Sequence, residues 1–237
     1  MSRTFLNAEW RKLAMANYSI DKKILEKYLP SKTEIDLWND DICYVSLVGF
    51  MFKDTKIKGF KIPFHTNFEE VNLRFYVRFK DNGAWKRGVV FIKEIVPKPA
   101  LTFVANTVYR ENYETMPMSH SWTTIGDDLI VEYKWKKGRW NSFKVTTGKK
   151  SNLIPSSSEE EFITEHYWGY TKISNEQTSE YGVEHPKWEV YQTKDYLIDV
   201  DFANIYGQDF GFLTSEKPKS VFLAEGSPIT VKDGIRI

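Results

Sequence analysis

The dipeptide Asn82-Gly83 separates two runs, residues 69–80 and 85–96, in which apolar and polar side chains alternate. A two-residue type I′ turn needs positive φ at both central positions, and Asn-Gly meets that demand at little steric cost. The chain is therefore predicted to fold back on itself here as a β-hairpin. So tight a turn also sets the register, pairing residues equally spaced from it. Asn72 is predicted opposite Lys93, Arg74 opposite Phe91, Arg78 opposite Arg87, and Glu70 opposite Ile95.

Alternation then sorts the hairpin into two faces. Val71, Leu73, Phe75, Val77 and Phe79 share one with Gly88, Val90 and Ile92, and that face reads as core. The other carries Glu70, Asn72, Arg74, Tyr76 and Arg78 with Arg87, Val89, Phe91, Lys93 and Ile95. Two readings of this mixed face stay open. It is an ordinary solvated face with weak exposed ion pairs, or it lines an interior, which the apolar Val89, Phe91 and Ile95 favour. In an interior, burial and the neighbouring Arg74 would favour the neutral form of the Lys93 amine. A neutral amine can attack a carbonyl and form a Schiff base. Glu70 could then move protons, with Arg74 holding a carboxylate between Asn72 and Tyr76. On this register Glu94 points to the opposite face.

Composition limits the function classes. The 33 Lys and Arg residues are balanced by 32 Asp and Glu and interleaved with them, against the basic stripe expected of a nucleic-acid binder. Aromatic residues make up 16% of 237, enough for a core without metal or disulfide staples. Cys43, alone in an apolar run, reads as a buried inert thiol. No signal-peptide pattern opens the chain, and no apolar stretch reaches the ~20 residues of a membrane-spanning helix. A cytoplasmic protein with no membrane or nucleic-acid partner is expected, and oligomerisation is compatible with all of this.

Further elements follow from local chemistry. Residues 10–20 read as a first strand, and Asp21 caps a short helix stopped by Pro30. Residues 34–38 and 42–53 read as a hairpin about Asn39-Asp40. Pro99 opens a helix running to about Arg110. Residues 129–135 and 140–146 pair around Lys137-Gly138. Ser156-Ser157-Ser158 caps the acidic turn Glu159-Glu160-Glu161, and residues 162–173 and 181–191 form another hairpin. A short helix near 202–206 and a strand at 221–224 complete the reading. No repeat or linker interrupts residues 1–237, so a single domain is expected.

A two-residue turn at Asn175-Glu176 would set His166 opposite His185, half of a metal site. Neither neighbouring glutamate shares their face, so hydrogen-bonded structural histidines are the expectation and no metal or cofactor is assigned. Phosphate loops, nucleophile elbows and paired-cysteine patterns are missing from the sequence.

Several runs resemble the YqjF-like family of bacterial proteins. They are Glu9-Trp10-Arg11-Lys12-Leu13-Ala14-Met15, Tyr44-Val45-Ser46-Leu47-Val48-Gly49-Phe50, Phe68-Glu69-Glu70-Val71-Asn72-Leu73-Arg74 and Arg87-Gly88-Val89-Val90-Phe91-Ile92-Lys93-Glu94, with residues 165–170 and Glu184-His185-Pro186. More remotely, the chain is similar to acetoacetate decarboxylase. That resemblance implies a mainly β, antiparallel barrel or cone with a few peripheral helices and an enclosed cavity. It also implies that Lys93, in Phe91-Ile92-Lys93-Glu94-Ile95-Val96-Pro97, takes the Schiff-base position. Arg11 and Glu69 or Glu70 stand as counterparts of the arginine and glutamate around the substrate. Glu94 departs from the pattern, standing where the enzyme has a second lysine. The expected ligand is a small carbonyl compound or organic acid. The expected role is Schiff-base lyase chemistry or, alternatively, non-catalytic binding or sensing.

Overall fold

A computed structural model describes residues 3–237, and it is mainly β. The first strands are β1 (Thr4–Ser19), β2 (Thr33–Ile35), β3 (Tyr44–Ile57), β4 (Phe68–Asp81) and β5 (Ala84–Val96). Between β1 and β2 lies the four-residue helix α1 (Lys22–Leu25), capped as expected by the Asp21 side chain, which accepts from the Lys23 N–H. Helix α2 (Pro99–Val104) follows β5, with Pro99 in its first turn. It widens into a π-helical stretch, Ala105–Tyr109, that ends at Arg110 with φ 60°.

Next come β6 (Tyr113–Thr115), β7 (Met118–Ile125), β8 (Asp128–Lys137) and β9 (Arg139–Leu153). Helix α3 (Glu159–Thr164) starts at Ser158, whose hydroxyl accepts from the Glu161 N–H. The chain ends with β10 (Trp168–Lys172), β11 (Thr178–Glu184), β12 (Glu189–Asp199), helix α4 (Phe202–Tyr206), β13 (Ser220–Lys232) and β14 (Ile235–Arg236).

Strand pairing closes on itself. β1 pairs with β3, β3 with β4, β4 with β5, β5 with β10, β10 with β11, β11 with β13, and β13 with β1. An arm of β12, β9, β8 and β7 extends from β13, while β2, β6 and β14 add to β4, β5 and β11. The arm folds over the outer side of the ring. One hydrophobic cluster joins Val71, Leu73, Phe75 and Ile92 to Tyr133, Trp135 and Phe143 of the arm and to Phe202 and Phe210. A second cluster, including Leu13, Phe50, Phe68 and Trp188, lies on the other side.

The Asn82-Gly83 turn forms with φ 48° and 88°, and the register near it is the predicted one: Arg78 faces Arg87 and Arg74 faces Phe91. Beyond that point the pairing slips by one residue. Leu73 faces Lys93, Asn72 faces Glu94 and Val71 faces Ile95. Residues 92 and 93 form a β-bulge, two residues opposing one. Asn112 holds it: its side-chain amide donates to the Ile92 carbonyl, and its own carbonyl accepts the Glu94 N–H at 2.9 Å. An extra residue inverts every side chain after it. Lys93 and Ile95 therefore join the face of Leu73, and Glu94 takes the face of Asn72.

Two other expectations are corrected. The turn at Asn39-Asp40 forms, with both residues at positive φ and Trp38 bridging Ile42, but β2 does not continue along β3. It pairs with Val77 to Phe79 of β4, just past Phe75, where β3 stops; there it satisfies backbone groups left open on that edge. The expected 162–173 strand begins as α3. β10 and β11 then pair one residue away from the predicted register, Trp168 opposite Gly182. Their connection is longer than two residues, with the Ile173 and Ser174 N–H groups both reaching the Gln177 carbonyl. His166 and His185 are consequently not opposite one another.

The β5–β10 contact that closes the ring is short, Trp168 opposite Gly88 and Gly169 opposite Val89. A Cβ at Gly88 would lie 2.5 Å from the Trp168 carbonyl oxygen, and one at Gly169 would lie 2.1 Å from the Tyr181 ring. Because the Gly88 obstruction is backbone, Gly88→Ala is expected to destabilise the protein by about 1–3 kcal/mol in chemical denaturation. Gly148→Ala, with nothing within 4 Å of its Cβ, should leave the midpoint almost unchanged.

Candidate functional site

All seven strands of the ring contribute to one cavity of about 440 Å³. Most of its wall is apolar, with Trp10, Phe50, Phe52, Phe91 and Trp188 among the lining residues. The polar part is contributed by Glu70, Asn72 and Arg74 from β4, Glu94 from β5, and Glu111 and Tyr113 from the segment entering β6. His166, Tyr181 and His185 add to it, with Lys232 and smaller polar groups such as Thr55 and Ser179. Strand alternation puts Glu70, Asn72 and Arg74 on one side of β4. The bulge adds Glu94, and parallel pairing of β6 with β5 brings Tyr113 beside Glu94.

Lys93 is not on this wall. Its Nζ lies 2.6 Å from Glu114 Oε2 and 2.7 Å from the Ile205 carbonyl, and Glu114 also binds Lys137 at 2.8 Å. The inversion at the bulge turned it toward the outer cluster, so the amine is engaged by a carboxylate and a carbonyl. Lys232 is the one lysine on the lining among the described residues, and it is tied to Glu184 at 2.8 Å.

The remaining expected residues divide. Glu70, Asn72 and Arg74 come together as the hairpin register required. Tyr76 is buried beyond them, its hydroxyl 2.7 Å from Ser46 Oγ, and takes no part in the lining. Glu69 points the opposite way from Glu70 and contacts His120 Nδ1 at 2.7 Å. Arg11 binds Glu9 at 2.8 Å and reaches Glu225, away from the cavity. Both depart from the family-based assignment because alternation sends them to the far side of their strands.

Electrostatics distinguish two parts of the polar wall. Arg74 is only 8% exposed. Among the described residues no carboxylate is within ion-pair distance of it, and its Nε lacks a hydrogen-bond partner. Glu70 receives a hydrogen bond from Asn72 Nδ2 at 2.9 Å. Burial nonetheless pushes its pKa up to about 7, against that bond, one from Tyr113 and the charge of Arg74. Glu94 is raised well above the usual carboxylate range by burial and by the charges of Glu70 and Glu111. Burial brings Glu111 up to about 7, opposed by the 2.7 Å hydrogen bond from Thr171. At neutral pH this cluster retains protons, and its carboxyls can donate as well as accept.

The histidines serve separate roles. Burial pushes His166 down to about 4, so its ring is neutral. Its Nε2 is 3.1 Å from Asp36 Oδ2, which also accepts from Arg87 Nε at 2.6 Å. Burial raises the Asp36 carboxyl, but these two hydrogen bonds prevail and hold it ionised below its ordinary range. A neutral His166 facing a carboxylate carries its proton on Nε2, leaving Nδ1 an acceptor, and that atom is buried without a partner. His185 stacks on Trp188 at 4.3 Å and is lowered by burial. Among the described residues no group of three or more His, Cys, Asp or Glu is placed to hold a metal ion.

Glu111, Tyr113 and Tyr181 had no sequence signal as site residues, and Glu94, which the resemblance placed at the second lysine's position, was set aside by the expected register. Glu94 was hidden by the bulge, and the other three come from segments that meet the hairpin only in the folded chain.

Comparison with known proteins places this geometry in context. Residues 7–228 match the model of the DUF2071 family, described as an uncharacterized conserved protein. Uncharacterized protein YqjF of Bacillus subtilis is 26% identical over 184 residues, covering 76% of this chain and 72% of that protein. The acetoacetate decarboxylase of Legionella pneumophila superposes with a TM-score of 0.66 at 13% identity, covering 99% of this chain and 88% of that one. The enduracididine biosynthesis enzyme MppR, solved with pyruvate, gives 0.69 at 11% identity, covering 100% and 91%. An acetoacetate decarboxylase-like enzyme from Sphingomonas wittichii gives 0.65 at 8%, covering 98% and 92%. At such identities the structural likeness speaks for the fold. With nearly its whole length matched, the chain belongs to the DUF2071 family and has an acetoacetate-decarboxylase-like fold.

Proposed function

We propose that the cavity binds a small organic acid, and that its glutamates exchange protons with the bound molecule. The observation that carries this reading is Arg74: a buried guanidinium on the lining that, among the described residues, has no carboxylate within ion-pair distance. A buried cation is costly without a counter-charge, and a ligand carboxylate supplies one in the bidentate geometry that arginine favours. The apolar wall would take the rest of the molecule. Neutral Glu94 would donate a hydrogen bond to a ligand carbonyl or hydroxyl. Glu70, with a pKa of about 7, is suited to general acid–base work near neutral pH. The pyruvate complex of MppR supports small 2-oxo acids as the first compounds to test.

Imine formation at Lys93 receives no support from the geometry, since its amine is turned away from the cavity and held by Glu114. Incubation with pyruvate and borohydride is expected to leave the intact mass of the chain unchanged. An adduct that vanishes in Lys93→Ala would overturn this and restore the lyase reading.

Titration calorimetry with a panel of 2-oxo and 2-hydroxy acids tests the binding. Arg74→Gln is expected to weaken the best ligand by about 1.5–3 kcal/mol, the usual worth of a hydrogen bond to a charged group. An unchanged affinity would sink the proposal. Proton exchange at the ligand's α-carbon in D₂O, slowed in Glu70→Gln, would separate turnover from binding alone.

The raised carboxyls also predict a pH dependence. Glu70 and Glu111 are neutral below about 7 and ionised above it, so acid binding should weaken as pH rises through 7. Their folded pKa values exceed the unfolded ones, so the associated stability is present at low pH and lost as pH rises toward and through 7. Thermal unfolding at pH 5 and pH 8 should show Glu70→Gln gaining on the wild type at the higher pH. A constant difference between the two would contradict this.

A further inference from the structure

The rim of the cavity differs from the rest of the surface in two respects. It is apolar where it is exposed. Ile62, on the loop after β3, and Val104, on α2, both line the cavity and are 41% and 46% exposed, which puts them at its mouth. Phe60 and Phe64 flank Ile62 in sequence, and Phe103 and Val108 flank Val104, each of them well exposed. Tyr109 packs against Phe5, and the Phe5 carbonyl accepts the Lys58 N–H at 2.8 Å, so loop and helix are held side by side.

The same two segments are also basic. Residues 53–67 hold Lys53, Lys56, Lys58 and Lys61 against one acid, Asp54, which pairs with Lys61. Residues 97–110 hold Lys98 and Arg110 and no acid. In a chain of formal net charge +1, this is a marked segregation of charge.

We propose that this rim docks on an anionic lipid bilayer, with Phe60, Phe64 and Phe103 entering the interface and the lysines facing the headgroups. Exposed aromatic side chains among lysines suit the boundary between acyl chains and anionic headgroups. A second copy of the same basic rim would be repelled, and an acidic protein would leave the phenylalanines unmatched. Docked this way, the cavity opens onto the bilayer, and an amphiphilic molecule could pass between them without crossing water. The proposal does not depend on what Arg74 binds.

The test is sedimentation of the full chain with vesicles of phosphatidylcholine alone or mixed with phosphatidylglycerol. Binding is expected to the anionic vesicles only and should fall with added salt. Phe60→Ser and Phe64→Ser, at exposed positions that the fold does not use, should each weaken it roughly ten-fold. Lys58→Glu should weaken it about five-fold or more, while Ile125→Ser, an exposed apolar site off the cavity, should not. The proposal is overturned if anionic vesicles bind no better than neutral ones, or if Phe60→Ser and Phe64→Ser are without effect. It is equally overturned if those substitutions instead dissolve a dimer of a protein that ignores vesicles.

Discussion

The site depends on how Asn112 holds the backbone of β5. Through one side chain and one carbonyl it satisfies Glu94 and Ile92, the residue left without a cross-strand partner, and so stabilises the bulge that changes the sheet's parity. Without that bulge the hairpin would present Lys93 and Ile95 to the cavity. With it, the wall receives Glu94, and Lys93 goes to Glu114 on the outside. A single extra residue exchanges a cation for a carboxyl on the cavity wall.

The wall's electrostatics follow from this exchange. Burying a carboxyl beside others favours its neutral form, so Glu70, Glu94 and Glu111 carry fewer charges than their number suggests. Arg74 remains as a buried cation with no ion pair among the described residues. Other charged groups nearby are paired: Asp36 with Arg87, Lys232 with Glu184 and, outside the wall, Lys93 with Glu114. An arginine without an ion pair, near proton-holding carboxyls inside an apolar space, is the arrangement on which the proposed anion site rests.

The polar residues sit mainly on strands of a closed ring, where neighbours on both sides limit their movement. The rim, by contrast, is built from a loop and from a helix that loosens into π geometry. On the proposed reading, the wall would serve recognition and the rim access.

Elements whose causes are local could be read directly from the order of residues. Asn-Gly made the hairpin turn, Asp21 and Ser158 capped their helices, Pro99 began another, and alternation sorted β4 so that Glu70, Asn72 and Arg74 share a face. Each of these rests on interactions within a few residues. Tertiary structure decided the rest because it depends on partners distant in sequence. Asn112, twenty residues past Ile92, shifted β5 and exchanged Lys93 for Glu94. The free edge of β4 drew β2 away from β3, and a longer turn kept His166 from meeting His185. The hairpin signal was therefore sufficient to group Glu70, Asn72 and Arg74 on one face but not to tell a cavity wall from a solvated face, and a bulge leaves no trace in alternation until its distant brace is in place.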